Sequence, residues 1–392
     1  MLVVRTVAVV GGSLAGWSAA SALRAGGFDG RIVLIGDERH QPYDRPPLSK
    51  AFLAGDLEAS DLALTTPDSV AEIAPEWLLG RRAVGLDAAA RRITLDDGAE
   101  IAADAVVIAS GARARTLPGT AGIAGAHTLR TLDDAVALRA ALPSAERVVV
   151  VGGGFIGAEV AATARAGGRG VDVVEAMPLP MADALGAEMA KVVTALHADH
   201  GTTLHTGTAV HELVAPAGRV TGVRLANGRE LAADLVVVGI GVAPNVEWLA
   251  GSGVALDDGV LVDAAGRTSV QAVYAAGDVA RFPSGRAGGH VRVEHWTHAR
   301  DQAAAVARTI LGERVNYDPV QYVWSEQYGV MIQFAGYASP DAEVEVVEGD
   351  VAERRFVAVY RRAGRPVAVL GLRSPRTFTK LRKELASANG QG

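Results

Sequence analysis

The chain has 392 residues, 49% of them apolar and 21% charged, with a net charge of −6. That length suggests two or three domains at roughly 100 to 200 residues each, and the composition excludes a disordered or fibrous chain. There is no cysteine, which excludes a disulfide, a thiolate nucleophile, a protein-ligated iron–sulfur cluster and a cysteine zinc site, so any redox chemistry must reside in a bound organic cofactor.

The first strand begins at Val7, which leaves no room for a secretory leader. No apolar stretch reaches the roughly 20 residues of a membrane span. The expected location is therefore cytoplasmic. Charge is unevenly spread: residues 351–392 carry ten Lys/Arg against two acids, a tail of +8 that leaves −14 for the rest. Such a tail reads as a solvated face or as a docking surface for an acidic partner. With an acidic chain and no accompanying motif, nucleic acid is not an expected partner.

In chain order, Val7 to Val10 reads as a buried strand. Gly11-Gly12-Ser13-Leu14-Ala15-Gly16 follows, then an Ala-rich helix to about Ala25. Arg31 to Gly36 is a second strand ending at Asp37-Glu38. The first glycine of such a turn permits the tight bend, the middle position lets backbone approach a pyrophosphate, and the third lets helix and strand pack closely. Here Ser13 holds the middle position. Asp37 lies 26 residues past Gly11, close to the spacing of a ribose-hydroxyl contact.

The pattern returns 141 residues later. Arg147 to Val151 is a strand, the turn carries Gly152, Gly154 and Gly157, and the next strand, Val171 to Val174, ends at Glu175. A carboxylate there accepts from a ribose 2′-OH and repels a 2′-phosphate, and no Arg lies in 176–181, which favours NADH over NADPH. Three more apolar strands end in small residues: Ala105 to Ala109-Ser110-Gly111, Leu235 to Gly241, and Val273 to Gly277-Asp278. Strand ends of that kind are where an open α/β sheet binds ligands. A helix is expected from Trp296 to Leu311. From about Pro319 alternating segments, Glu343 to Val347 and Arg355 to Tyr360, predict an antiparallel sheet. Two dinucleotide sites without cysteine imply electron relay from one nucleotide to a second, a flavin. His197 and His200 are i, i+3 and read as a solvated helix face, with no metal site expected.

Gln41-Pro-Tyr-Asp-Arg45-Pro46-Pro-Leu-Ser-Lys50 strongly resembles the PYDRPPLSK segment of the FAD-dependent, putidaredoxin reductase-like NADH:ferredoxin reductases of bacterial haem monooxygenase and ring dioxygenase systems. The resemblance runs through Leu129 to Asp134, Gly152 to Ala161, Gly239 to Asn245, Ala275 to Val279, Arg292 to Trp296 and Val323 to Tyr328. It implies an α/β fold of two Rossmann-like nucleotide-binding domains (a glutathione-reductase-like flavoprotein) plus a C-terminal α+β domain. The implied segments are 1–112 and 242–318 for FAD, 113–241 for NADH, and 319–392 for an interface domain.

The resemblance also implies roles. Lys50 would lie beside the flavin and pair with Glu159 near the nicotinamide. Asp278, between Gly277 and Val279, would hold the ribityl chain. Arg130, Arg45, Pro46, the backbone of Ala83, and Trp296 would be further FAD contacts. Phe155, beside Ile156, would gate the nicotinamide face, and Trp324 would stand where electrons leave. The implied partner is an iron–sulfur ferredoxin with an acidic surface; a rubredoxin, or a slow redox-signalling role, are the alternatives. A few residues depart from the family pattern. Ser13 replaces Gly and Ser110 the commoner Thr. His298 and Ala303 replace Asn and Gly, expected to touch partner docking. The 177–181 run lacks an Arg, expected to touch NAD affinity.

Overall fold

Thr6–Val10 and Arg147–Val151 are built largely of β-branched apolar residues, which suits strands covered on both faces. In the computed structural model, which describes residues 4–387, each is the central strand of its own five-stranded parallel sheet. The first sheet runs Glu76–Leu79, Arg31–Gly36, Thr6–Val10, Ala105–Ile108, Val273–Ala275. The second runs Thr203–Thr206, Gly170–Glu175, Arg147–Val151, Leu235–Val238, Ala126–Thr128. The duplication extends further than the glycine turns suggest. In each sheet the chain leaves one edge strand, Glu76–Leu79 or Thr203–Thr206, and passes through a three-stranded antiparallel meander, Ala83–Ala102 or Val210–Ala232, before it enters the strand on the far side of the central one, Ala105–Ile108 or Leu235–Val238.

The chain divides into two compact units. One takes in the chain up to Asp44, Leu62–Arg113 and Ala243–Gln321; the other takes in Arg45–Asp61, Ala114–Val242 and the chain from Tyr322 onward. In the first unit the helices Leu14–Ala25 and Trp296–Ile310 pack together on the sheet through Trp17, Ala19, Leu23, Ala303 and Val306, all buried.

In the second unit, the predicted antiparallel sheet has five strands in the order Tyr322–Gln327, Val330–Gly336, Arg365–Leu372, Arg355–Arg362, Glu343–Asp350. Its inner face shares a core with the helix Ala187–Asp199: Met189, Val193 and Leu196 pack with Phe356, Tyr360 and Leu370. The amphipathic helix Pro375–Ser387 closes the sheet with Phe378, which meets the open backbone of Gly371; any Cβ there would lie 3.0 Å from the Phe378 side chain. Truncating a buried Phe of this kind costs about 3–5 kcal/mol.

His197 is not on a solvated helix face. It is 1% exposed, its Nδ1 lies 2.7 Å from the Tyr328 hydroxyl, and the ring of exposed His200 stacks on the same tyrosine. Tyr328 sits in the hairpin between Tyr322–Gln327 and Val330–Gly336, so this pair clasps the hairpin to the helix. Among the described residues, no helix is long and apolar enough to cross a membrane.

Candidate active site

The two glycine turns superimpose in their constraints. Gly11 and Gly152 adopt φ of +130° and +104°. A Cβ on them would lie 1.9 Å from the Ala109 carbonyl oxygen and 2.2 Å from that of Gly239. A Cβ on Gly16 or Gly157 would lie 1.8 or 2.0 Å from the oxygen of Gly11 or Gly152. Only glycine fits these four positions. The middle position is different. Ser13 has φ −108°, Gly154 has φ −70°, and nothing lies within 4 Å of a Cβ on Gly154. Any small residue can stand there, so Ser13 does not weaken the first turn. Ser13 does not cap its twelve-residue helix with its side chain, and Gly154, at the same place before the second such helix, has none to offer. The first-turn N–H groups are left for an anion, which is what a dinucleotide pyrophosphate requires.

The acids after the second strand of each sheet are arranged differently. Glu175 follows Val174, and its carboxylate accepts from Gly153 N and Met177 N, both at 2.8 Å. The equivalent position in the first sheet is Gly36, packed against Gly12. The acids therefore come later: Asp37 is exposed, and Glu38 accepts from the Tyr43 hydroxyl at 2.5 Å.

Around the first turn, Ala109 N donates to Val10 O. Ser110 and Asn245 exchange bonds, Ser110 Oγ to Asn245 O at 2.8 Å and Asn245 Nδ2 to Ser110 O at 2.9 Å, while Asn245 N donates to Gly111 O. Gly277 has φ +79°, and a Cβ on it would come 2.9 Å from Ala15, so the turn Gly277–Val279 rests directly on the start of the glycine-turn helix. Gln302 Oε1 accepts from Gly277 N and fixes the turn that carries Asp278. Trp296 donates its Nε1 to Asp44 at 2.7 Å, so its indole N–H is already engaged. Ala83 is buried at the start of its meander.

His298 and Ala303, expected to bear on partner docking, are 1% and 0% exposed. They cannot meet a partner. His298 stacks on Phe282 and lies 3.1 Å from the Tyr317 hydroxyl, so its departure from Asn is a core substitution. Burial lowers the pKa of His298 to about 3 and that of neighbouring His295 to about 4.

In the second unit Lys50 and Glu159, 109 residues apart in sequence, meet in an ion pair, Nζ to Oε2 at 2.7 Å. Glu159 lies one turn into the glycine-turn helix and is 2% exposed. It accepts two more bonds, from Ser49 Oγ to Oε2 at 2.5 Å and from Ser325 Oγ to Oε1 at 2.7 Å. Thr163, one helical turn further on, donates to the Ser49 carbonyl and ties the loop that carries Lys50 to the same helix. Arg45 and Arg130 also come together, Arg45 Nη1 donating to Arg130 O. The Thr131 capping box holds the Arg130 backbone, with Asp134 accepting from N–H of both residues. Phe155 is half-buried against the C-terminal core, and Ile156 is exposed beside the turn. Gly241, at φ +88°, lies between the end of the strand Leu235–Val238, which neighbours Arg147–Val151, and the short strand Val242–Pro244. Trp324 stacks on Tyr322, and the Arg382 guanidinium lies over the Tyr322 ring, 3.9 Å from its centre.

Tyr43, Ser49, Asn245, Gln302, Ser325 and Gln327 were not anticipated as site residues. All but Gln302 lie inside recognised motifs, but a motif does not say which of its polar side chains are buried and partnered.

Two parallel sheets with paired glycine cradles define a double dinucleotide-binding oxidoreductase. The chain belongs to the pyridine nucleotide-disulphide oxidoreductase family, which it matches over residues 5–303, with a reductase C-terminal domain over 322–390. It is 39% identical to rhodocoxin reductase of Rhodococcus erythropolis, over 97% of this chain and 90% of that one. It is 40% identical to the ferredoxin reductase component of chlorobenzene dioxygenase of Cupriavidus sp. (strain PS12), over 95% and 90%. The reductase in the covalent putidaredoxin reductase–putidaredoxin complex superimposes with a TM-score of 0.93 at 33% identity, over 98% and 93%. The chain is thus an FAD-binding, NAD(P)H-dependent reductase of the ferredoxin reductase type.

Proposed function

We propose that the protein takes a hydride from NADH and delivers electrons to a small iron–sulfur ferredoxin, in the cytoplasm, for a monooxygenase or dioxygenase. The observation that carries the reading is the ion pair of Lys50 with the buried Glu159 of the second glycine-turn helix. In this reading FAD is held by Gly11, Ser13, Ala15, Gly16, Asp37, Glu38, Ala83, Ala109–Gly111, Gly277–Val279 and Trp296, with Arg45, Pro46, Lys50 and Arg130 assigned to it by resemblance. NADH is held by Gly152, Gly154, Phe155, Ile156, Gly157, Glu175 and Gly241. Bound FAD supplies a two-electron acceptor for hydride and a one-electron donor for an iron–sulfur centre.

The chain's own contribution is orientation and fixed charge. Lys50 is held by Glu159 rather than left to water, so its charge needs no rearrangement when the nicotinamide arrives. Glu175, fixed by two backbone N–H groups, presents a ready acceptor to the ribose hydroxyl and an unfavourable charge to a 2′-phosphate.

For the partner, the tail is less available than its +8 suggests. Arg354, Arg361 and Arg362 pair with Asp199, Glu345 and Asp341 at 2.9, 3.0 and 2.9 Å. The helix Pro375–Ser387, with exposed Arg376 and Lys383 and with Arg382 over Tyr322, offers the better face for an acidic ferredoxin.

Stopped-flow mixing tests the function. Rapid flavin bleaching by NADH, slower bleaching by NADPH, and prompt reoxidation by a [2Fe–2S] ferredoxin are expected. A reduced protein that ignores the ferredoxin would overturn the reading. Arg376→Gln with Lys383→Gln should lower the ferredoxin rate and its salt dependence more than neutralising Arg354, Arg361 and Arg362; the reverse order would return docking to the strand arginines.

A further inference from the structure

The Lys50–Glu159 pair is backed by a strand of the C-terminal sheet. In Tyr322–Gln327 side chains alternate between faces. Tyr322 and Trp324 stack on one side, while Ser325 and Gln327, both 0% exposed, turn to the other. Gln327 Nε2 donates to Ser325 Oγ at 3.1 Å, and Ser325 Oγ donates to Glu159 Oε1 at 2.7 Å. Lys50 and Ser49 occupy the other carboxylate oxygen. The Glu159 carboxylate is therefore held at both oxygens, by the Lys50 loop at Oε2 and by the C-terminal strand at Oε1. A buried chain of this kind is costly to break, because each lost hydroxyl leaves a buried donor and a buried acceptor unpaired.

We infer that Ser325, backed by Gln327, is a positioning residue for Glu159, so that a strand of the C-terminal domain sets the geometry of the ion pair used in hydride transfer. The inference rests on the reading of Lys50 and Glu159 given above. It also makes adjacent residues of one strand serve two ends of the electron route: Ser325 the entry, Trp324 the exit side. Loss of the hydroxyl should leave nucleotide affinity alone and slow the hydride step, since misplacement by a fraction of an ångström acts on the reaction and not on binding.

The test uses flavin-loaded protein and the limiting rate of flavin bleaching, the NADH concentration at half-saturation, and the isotope effect with NADH deuterated at the transferred position. Ser325→Ala should lower the limiting rate about tenfold, with half-saturation unchanged and a full isotope effect on the slowed step. Ser325→Thr, which keeps the hydroxyl, should recover most of the rate. A wild-type rate in Ser325→Ala, or equal losses in the Ala and Thr variants, would overturn the inference. If Ser325→Ala loses its flavin, Gln327→Met decides: a severalfold lower limiting rate supports the inference and a wild-type rate overturns it. Glu159→Gln is measured alongside. If it is slow while Ser325→Ala is normal, only this inference fails; if Glu159→Gln is itself normal, the ion-pair reading fails.

Discussion

The two glycine turns share a backbone and differ in what surrounds it. Both place glycine where a Cβ would strike a carbonyl oxygen, and both leave a helix start uncapped. Around the second turn the acid is part of the turn, because Glu175 binds Gly153 N. Around the first that place is taken by Gly36 and the acids follow it. The cradle for a pyrophosphate is thus strictly constrained, while the reading of the ribose is free to vary between copies. Among the described residues, only the second copy places an ion pair on its helix.

This comparison can be broken most severely at the first glycines. Gly11→Ala should yield protein without flavin. Gly152→Ala should keep its flavin but lose at least about a hundredfold in NADH bleaching, since a single misplaced ångström can cost that much. Absorbance of the purified variants and stopped-flow rates would show it, and an equal loss of flavin in both would mean that the turns do not divide the labour. A smaller effect tests the ribose acid. Glu175→Ala should weaken NADH and relieve repulsion of NADPH, narrowing the ratio of their kcat/KM by about tenfold, or 1.4 kcal/mol; Asp37→Ala should leave that ratio untouched.

Acid separates the units next. Burial keeps His298 and His295 neutral in the first unit, with pKa about 3 and about 4, and His197 in the second, about 4. The ordinary value is 6.5, so below it the unfolded chain binds more protons than the fold. The stability is complete above 6.5 and is lost as pH falls toward these folded values, by up to about 1.4 kcal/mol per pH unit for each histidine. Melting followed between pH 7 and 5 should show a shallower acid slope in His298→Asn; an unchanged slope would mean that the ring is protonated in the fold. The smallest effect is Ser13→Gly. Because the position needs no special φ, flavin affinity should change by less than about twofold, within a few tenths of a kcal/mol, as titration of the flavin-free protein would report.

Much of this was legible because it follows from local rules. Strand, glycine turn and helix are fixed by β-branched runs and by backbone that only glycine can follow, so Arg31–Gly36 and Arg147–Val151 fall where the sequence puts them. The meanders were not legible, since their short strands carry little periodicity and are ordered by the sheet they cover. Lys50 and Glu159 were legible through resemblance. Ser325 and Gln327 were not given a role, since a serine in a strand shows no sign of the carboxylate it will face 166 positions away. His197 was misread because i, i+3 spacing cannot say which side of a helix is covered by a later hairpin. The basic tail was read as one field, although three of its arginines have carboxylate neighbours contributed by distant segments or the adjoining strand.

The scarcity of lysine gives the molecule a practical handle. Of four lysines, Lys50 is held in its pair with Glu159, whereas Lys191, Lys380 and Lys383 are exposed. Amine-reactive linkers have few side chains to choose from, and two of the three exposed ones flank Arg382 on the closing helix. Coupling the protein to an electrode or bead by its lysine side chains would therefore favour that helix, beside the Tyr322–Trp324 stack, as the point of attachment.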